Sequence, residues 1–264
     1  LISLSDEPPP RVAGLRGEGI VIYHIPSSTP AFRAGHRSAT ATEAALKNIP
    51  TDVFEVLPPD NYKKVLAELK PKDDPNSTPG ITNKKAGRIH LSGYFGTKSR
   101  EAMLGHALHE TVHLVSHQPG IGTQPHSSAI GVLGEGLLEG LVELITTEIL
   151  TAQGIALADP KRRGHQERVQ VLTDLMRTYG ITRAMLARPL FRGDSEQLFR
   201  LTETAFTTAG WLAVKQLTTA NNTTGAIQRM ASCRRAAEKA EPGGYARKLK
   251  QAGFTVTEYQ WVFR

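Results

Sequence analysis

Four of the nine histidines fall within twelve residues: His106, His109, His113 and His117. Inside that run sits His109-Glu110-Thr111-Val112-His113, the pattern H-E-x-x-H. In a helix, residues four apart lie one turn above each other, so both imidazoles can reach a single metal ion. Glu110 lies near the same face, where a carboxylate can take a proton from a water polarised by the metal. At 100° per residue, His106, His109, Glu110, His113 and His117 fall within an arc of about 100°. Leu104, Leu108, Val112 and Val115 form an apolar stripe on the other side. The pattern predicts a helix that buries one face and lines a cleft with the other.

Two histidines and a water leave a tetrahedral zinc one protein ligand short. A metzincin would supply a histidine six residues after His113, but position 119 is Pro119 and position 116 is Ser116 where that family has glycine. The remaining source is a glutamate from a second helix. Residues 133–148 offer Glu135, Glu139 and Glu143, spaced four apart and so stacked on one helical face.

The run Leu137-Leu138-Glu139-Gly140-Leu141-Val142-Glu143-Leu144-Ile145-Thr146 resembles the second motif of gluzincin zinc metallopeptidases, with Leu144 where that family usually has an aromatic. The resemblance is strong over residues 95–150 and looser elsewhere. It implies a zincin-like fold, a zinc ion held by His109, His113 and Glu139, and Glu143 orienting a ligating histidine. In a second register Glu135 is the ligand and Glu139 the orienting group; Gly140 then falls at the aromatic position, so the first register is preferred. The resemblance further implies that Glu110 acts as general base toward water attacking a peptide carbonyl and then as acid toward the leaving amine. It also makes Arg88 to Phe95 the edge strand that receives the substrate backbone. An oxyanion stabiliser is still required. Tyr179, His165, His126 and Tyr245 are candidates, and Tyr179, beside Gly180 at a predicted helix end, is favoured.

The other histidines read more plainly. His106 and His117 border the metal face and bond neighbouring carboxylates, while His24, His36 and His90 are isolated and read as structural or surface residues. The stretch 229–250 carries seven Lys/Arg against two Glu and reads as a solvated helix face. Cys233 has no nucleophile context, and as the single cysteine it forbids an intramolecular disulfide.

The elements that must position the site follow from periodicity and breakers. Residues 1–16, with Pro8-Pro9-Pro10, read as linker. Strands are predicted at 19–25, 52–57 and 88–95, helices at 40–47 and 61–69, and an exposed loop at 71–85. Helical patterns then occupy 99–118, 128–153, 164–179, 194–218 and 223–240, and strand signals return at 255–263. The expected class is α+β. Residues 17–264 form a single catalytic domain: a small α/β lobe with the metal helix (17–118), a mainly helical lobe (119–264), and the active site between them.

The chain has 264 residues, 39% hydrophobic and 22% charged, so a disordered or fibrous state is excluded as the dominant one. No apolar run approaches a bilayer span; even 129–150 is interrupted by four glutamates. A net charge of +7 is weak evidence for nucleic acid. The leading expectation is a zinc endopeptidase acting on a polypeptide substrate. Its start at Leu1 suggests an excised or delivered module, such as a secreted toxin or effector with an inhibitor or immunity partner. The alternative is a catalytically silent binding module on the same scaffold, touching nucleic acid through its basic surface. Retention of Glu110 argues against that alternative, because holding zinc does not require it.

Overall fold

In the computed structural model the described residues are 54–251, apart from 77, 84–85, 94–99, 117–124, 153 and 156–162. The predicted linker, the strands at 19–25 and 255–263 and the helix at 40–47 lie outside them. Strand β1 (Phe54–Leu57) leads through Pro58 into helix α1 (Pro59–Leu69). Proline suits a first helical turn, where its missing N–H has no intrahelical role, and Asp60 beside it favours the positive helix end. Strands β2 (Gly80–Asn83) and β3 (Arg88–Ser92) complete a three-stranded mixed sheet of order β1-β3-β2. β1 runs parallel to β3, with Phe54 opposite Ile89, and β2 runs antiparallel to it, with Gly80 opposite Leu91.

Two expectations are corrected here. The segment 88–95 is the central strand: its described part, Arg88–Ser92, is bonded on both sides and has no free edge for a substrate. The 71–85 stretch is not all loop, because Gly80-Ile81-Thr82-Asn83 is the edge strand β2. Its polar flanks masked a four-residue run whose pairing with β3 is a long-range matter.

Alternation along β2 sends successive side chains to opposite faces. Ile81 joins Tyr62 and Leu66 of α1 in a buried cluster edged by Leu57, Val65 and Leu69. The Tyr62 hydroxyl donates to the Thr78 carbonyl at 2.8 Å, tying α1 to the start of β2. Gly80 and Thr82 face the other way, onto α2 (Arg100–Val115). Leu104, Leu108 and Val112 of α2 are buried, as the apolar stripe predicted.

Helix α3 (Pro125–Ala152) is followed by α4 (Arg163–Tyr179), α5 (Arg183–Arg192), α6 (Glu196–Thr219), α7 (Thr223–Ala240) and α8 (Gly244–Gln251). Among the described residues no strand follows Ser92, and the coarse class is α+β. No helix among them is long and apolar enough to cross a membrane. Helices α5 and α8 were not anticipated. The first is punctuated by Pro189, although its N-cap Thr182 accepts from the Met185 amide and Gly193 closes it in the left-handed region. The second is only eight residues long. The described residues divide into two compact units. One holds the sheet, α1, α2 and α3 from Val142; the other holds α3 up to Leu141, α4 from Gly164, and α5 to α8.

The helical unit owes its form to a break in α3. Gly134 has φ 72° and ψ 166°, a region open essentially to glycine, so the helix restarts there. A break releases backbone groups that the ladder would otherwise pair. Three residues of α6, spaced one turn apart, take them up. The Trp211 indole donates to the Val132 carbonyl at 2.7 Å, the Lys215 ammonium donates to the Gly131 carbonyl at 3.0 Å, and the Gly136 amide donates to the Thr219 hydroxyl at 3.2 Å. Burial beside Gly134 holds the Lys215 pKa below its ordinary value. Phe206 and Trp211 stack within the same unit, and Tyr179 packs edge-on against both Phe206 and Tyr245.

Candidate metal centre

Helix α2 is regular, so H-E-x-x-H delivers the geometry that its spacing demands. His109 and His113 are both buried, and their rings meet edge to face with centroids 5.0 Å apart. One ligand atom from each of them and one carboxylate oxygen of Glu139 lie within 4.8 Å of one another. This donor set, two imidazoles and a carboxylate, is one that could hold a metal ion. Glu135, the other ligand candidate, is exposed and lies outside the cluster.

Behind His109 stands Glu143, one turn beyond Glu139 and fully buried at 0% exposure. Its carboxylate lies 3.2 Å from His109 Nδ1. With Nδ1 engaged, Nε2 is the nitrogen left to face a metal, the usual role of a carboxylate behind a ligating histidine.

Glu110 is partly exposed and is held from the sheet side. The Thr82 hydroxyl donates to Glu110 Oε2 at 2.8 Å and lies 2.9 Å from the Glu110 carbonyl. Gly80 leaves room for the same side chain, since a Cβ there would come 3.0 Å from Glu110 Cγ and 2.9 Å from Leu91. Sequence reading missed Thr82 because it fell inside a predicted loop; the β-branched pair Ile81-Thr82 after Pro79-Gly80 was the available signal.

Glu139 is placed by glycines. A Cβ on Gly136 would lie 2.5 Å from the Thr219 amide nitrogen, and one on Gly140 would lie 2.9 Å from Arg168 Cβ and 3.1 Å from its carbonyl. The two glycines, four apart, let α6 and α4 close onto α3. That approach brings His165 Nδ1 to 4.0 Å from Glu139 Oε2.

Of the four stabiliser candidates, His165 is the one that stands beside a residue of the cluster among the described residues. Tyr179 and Tyr245 are 4% and 5% exposed and belong to the aromatic core of the helical unit. Burial raises both hydroxyl pKa values well above the ordinary range. Tyr179 is therefore part of that core, where it contacts Phe206 and Tyr245. The His126 side chain and all of His117 lie outside the described residues. His106 is buried on α2, and His90 is buried on β3 with Nδ1 at 3.1 Å from Glu55.

No protein family, no curated protein and no solved structure matches the chain.

Proposed function

We propose that the protein is a zinc-dependent peptidase of gluzincin type with a zincin-like fold, holding its metal through His109, His113 and Glu139. The observation that carries this reading is the convergence of those three side chains, with Glu110 beside them and Glu143 behind His109. A bound zinc ion supplies Lewis acidity, drawing the pKa of a water toward neutrality and polarising a carbonyl oxygen. Glu110 takes the proton of the attacking water and passes it to the leaving amine. Thr82 fixes which way the Glu110 carboxylate faces, so its second oxygen is the one free to accept that proton. Glu143 keeps the His109 ring in one tautomer and one orientation.

Metal content per chain, measured by plasma mass spectrometry on protein purified without chelator or affinity-tag metal, tests the site. About one zinc per chain is expected for the wild type and a marked loss in His113→Ala. A fluorogenic peptide library then tests turnover, with Glu110→Gln expected to lose about 10²–10⁴-fold in rate while keeping its zinc. A chain that takes up no zinc even when it is added back would sink the reading. Zinc binding without cleavage of any peptide would leave a metal-holding binding module.

A further inference from the structure

Arg168 lies on α4 against Gly140, and among the described residues its guanidinium meets no carboxylate. It is half-buried, and its Nε is buried without a hydrogen-bond partner among the described residues. A guanidinium carries five N–H donors and no acceptor. A buried cationic donor without an acceptor is costly, and its persistence calls for an explanation. The neighbouring carboxylates have other partners. Glu167, the preceding residue, accepts from Asn221 at 2.9 Å, and Glu139 lies toward His165.

Position decides what acceptor this arginine serves. Its Cβ and carbonyl pack against Gly140, the residue that follows Glu139, so α4 meets α3 at this residue one position from the cluster's carboxylate. His165, three residues earlier and so on the same face of α4, is the one that reaches Glu139. A guanidinium is a planar fork of donors, and such a fork matches a carboxylate in two-point fashion.

We infer that Arg168 is a specificity-determining residue that receives a carboxylate of the substrate, so that the preferred peptides carry an acidic side chain or a free C-terminus near the scissile bond. The inference rests on the peptidase reading for its substrate, but the anion site itself is testable without turnover.

Succinate and its uncharged diamide, succinamide, are titrated into ¹⁵N-labelled full-length protein, with and without zinc, and the Gly140 amide resonance is followed. Succinate produces a saturable shift at Gly140, succinamide does not, and Arg168→Gln abolishes the effect while Arg168→Lys keeps part of it. Absence of a saturable wild-type shift, or an equal one with succinamide, overturns the proposal without recourse to any variant. So does a shift that survives in folded Arg168→Gln.

Peptide pairs then separate the two sources of carboxylate. A Glu-to-Gln pair tests a side chain, and a free-acid against C-terminal-amide pair tests a terminus. For the pair that matters, Arg168→Gln raises KM about tenfold or more for the charged member, with kcat and the uncharged member little changed. Equal KM values for both members of both pairs in the wild type refute the specificity role while leaving the peptidase standing. Succinate binding in a chain that neither holds zinc nor cleaves peptides refutes the peptidase and leaves the anion site standing.

Discussion

Helix α2 and the second segment of α3 each present site residues, but they are positioned by opposite means. In α2 an unbroken helix fixes the spacing of His109, Glu110 and His113, and side chains finish the work: Thr82 on Glu110 and Glu143 on His109. In α3 the main chain does most of it. Gly134 breaks the helix, α6 collects the released groups, Gly136 admits the Thr218–Thr219 backbone at a distance no Cβ would allow, and Gly140 leaves little room against Arg168. Side-chain positioning can be weakened one hydrogen bond at a time. Backbone positioning has little give, because the atoms in the way cannot rotate aside.

The largest expected effect is therefore at Gly136. In Gly136→Ala the new methyl would meet the Thr218 carbonyl carbon at 2.6 Å and the Thr219 nitrogen at 2.5 Å. Overpacking against main chain costs up to about 3 kcal/mol, and alanine's better helix propensity returns at most about 1 kcal/mol. A net loss near 2 kcal/mol is expected in urea unfolding. A variant as stable as wild type would show that α6 is not held against α3 at this point.

Glu143→Ala strikes the equivalent support of α2. Removing a carboxylate behind a ligating histidine lowers metal affinity about 10–100-fold. Competition with a zinc-binding dye measures this, and Glu143→Gln should lose less, because its amide oxygen can still accept from His109 Nδ1. Equal losses for the two variants would mean that charge, and not orientation, is what Glu143 contributes.

A smaller effect is expected at the sheet side of the same helix. Thr82→Val deletes the donor to Glu110 with little change of shape. A hydrogen bond to a charged group contributes about 1.5–3 kcal/mol, and part of that is recovered from water at a half-exposed carboxylate. A roughly tenfold fall in kcat/KM with zinc content unchanged is the expected result. If kcat/KM stays at the wild-type value, the Thr82 bond serves the strand and not the chemistry.

The same contrast explains what could be read in the sequence. Regular helices advertise themselves, so α2, its two histidines, Glu110 and its buried apolar stripe were legible from spacing alone. The stack Glu135, Glu139 and Glu143 was legible too, but which glutamate meets the histidines was not a matter of periodicity: all three share a face. The start of the segment that carries them is anchored by partners some 80 residues away, Trp211, Lys215 and Thr219, which local sequence does not reveal. β2 was lost for a similar reason, since a four-residue strand exists only through its pairing with β3. Tyr179 looked available at a helix end, yet it is buried by Phe206 and Tyr245, residues of α6 and α8 that local sequence does not bring to it.

Three buried tyrosines carry the comparison into stability. Tyr62 of the sheet unit donates to a carbonyl at 2.8 Å, whereas the buried Tyr245 hydroxyl of the helical unit has no hydrogen-bond partner among the described residues. Tyr62→Phe should cost about 1 kcal/mol, while Tyr245→Phe should be neutral or stabilising, because it removes a polar group buried without compensation. Burial is the main cause that raises the pKa of Tyr62, Tyr179 and Tyr245 above the ordinary value near 10; the Glu110 and Asp73 charges add to it at Tyr62. A raised folded value means that the native state keeps protons the unfolded chain releases. The stabilisation is complete below about pH 10 and is lost as pH rises through the folded values, by about 1.4 kcal/mol per pH unit for each tyrosine. Urea midpoints recorded from pH 8 to pH 11 should fall only above pH 10. Replacing both Tyr179 and Tyr245 by Phe should flatten the fall more than replacing Tyr62 alone, since two of the three protons belong to the helical unit. An equal flattening would place the alkaline weakness in the sheet unit, where the tyrosine hydroxyl is hydrogen-bonded and the site helix α2 rests.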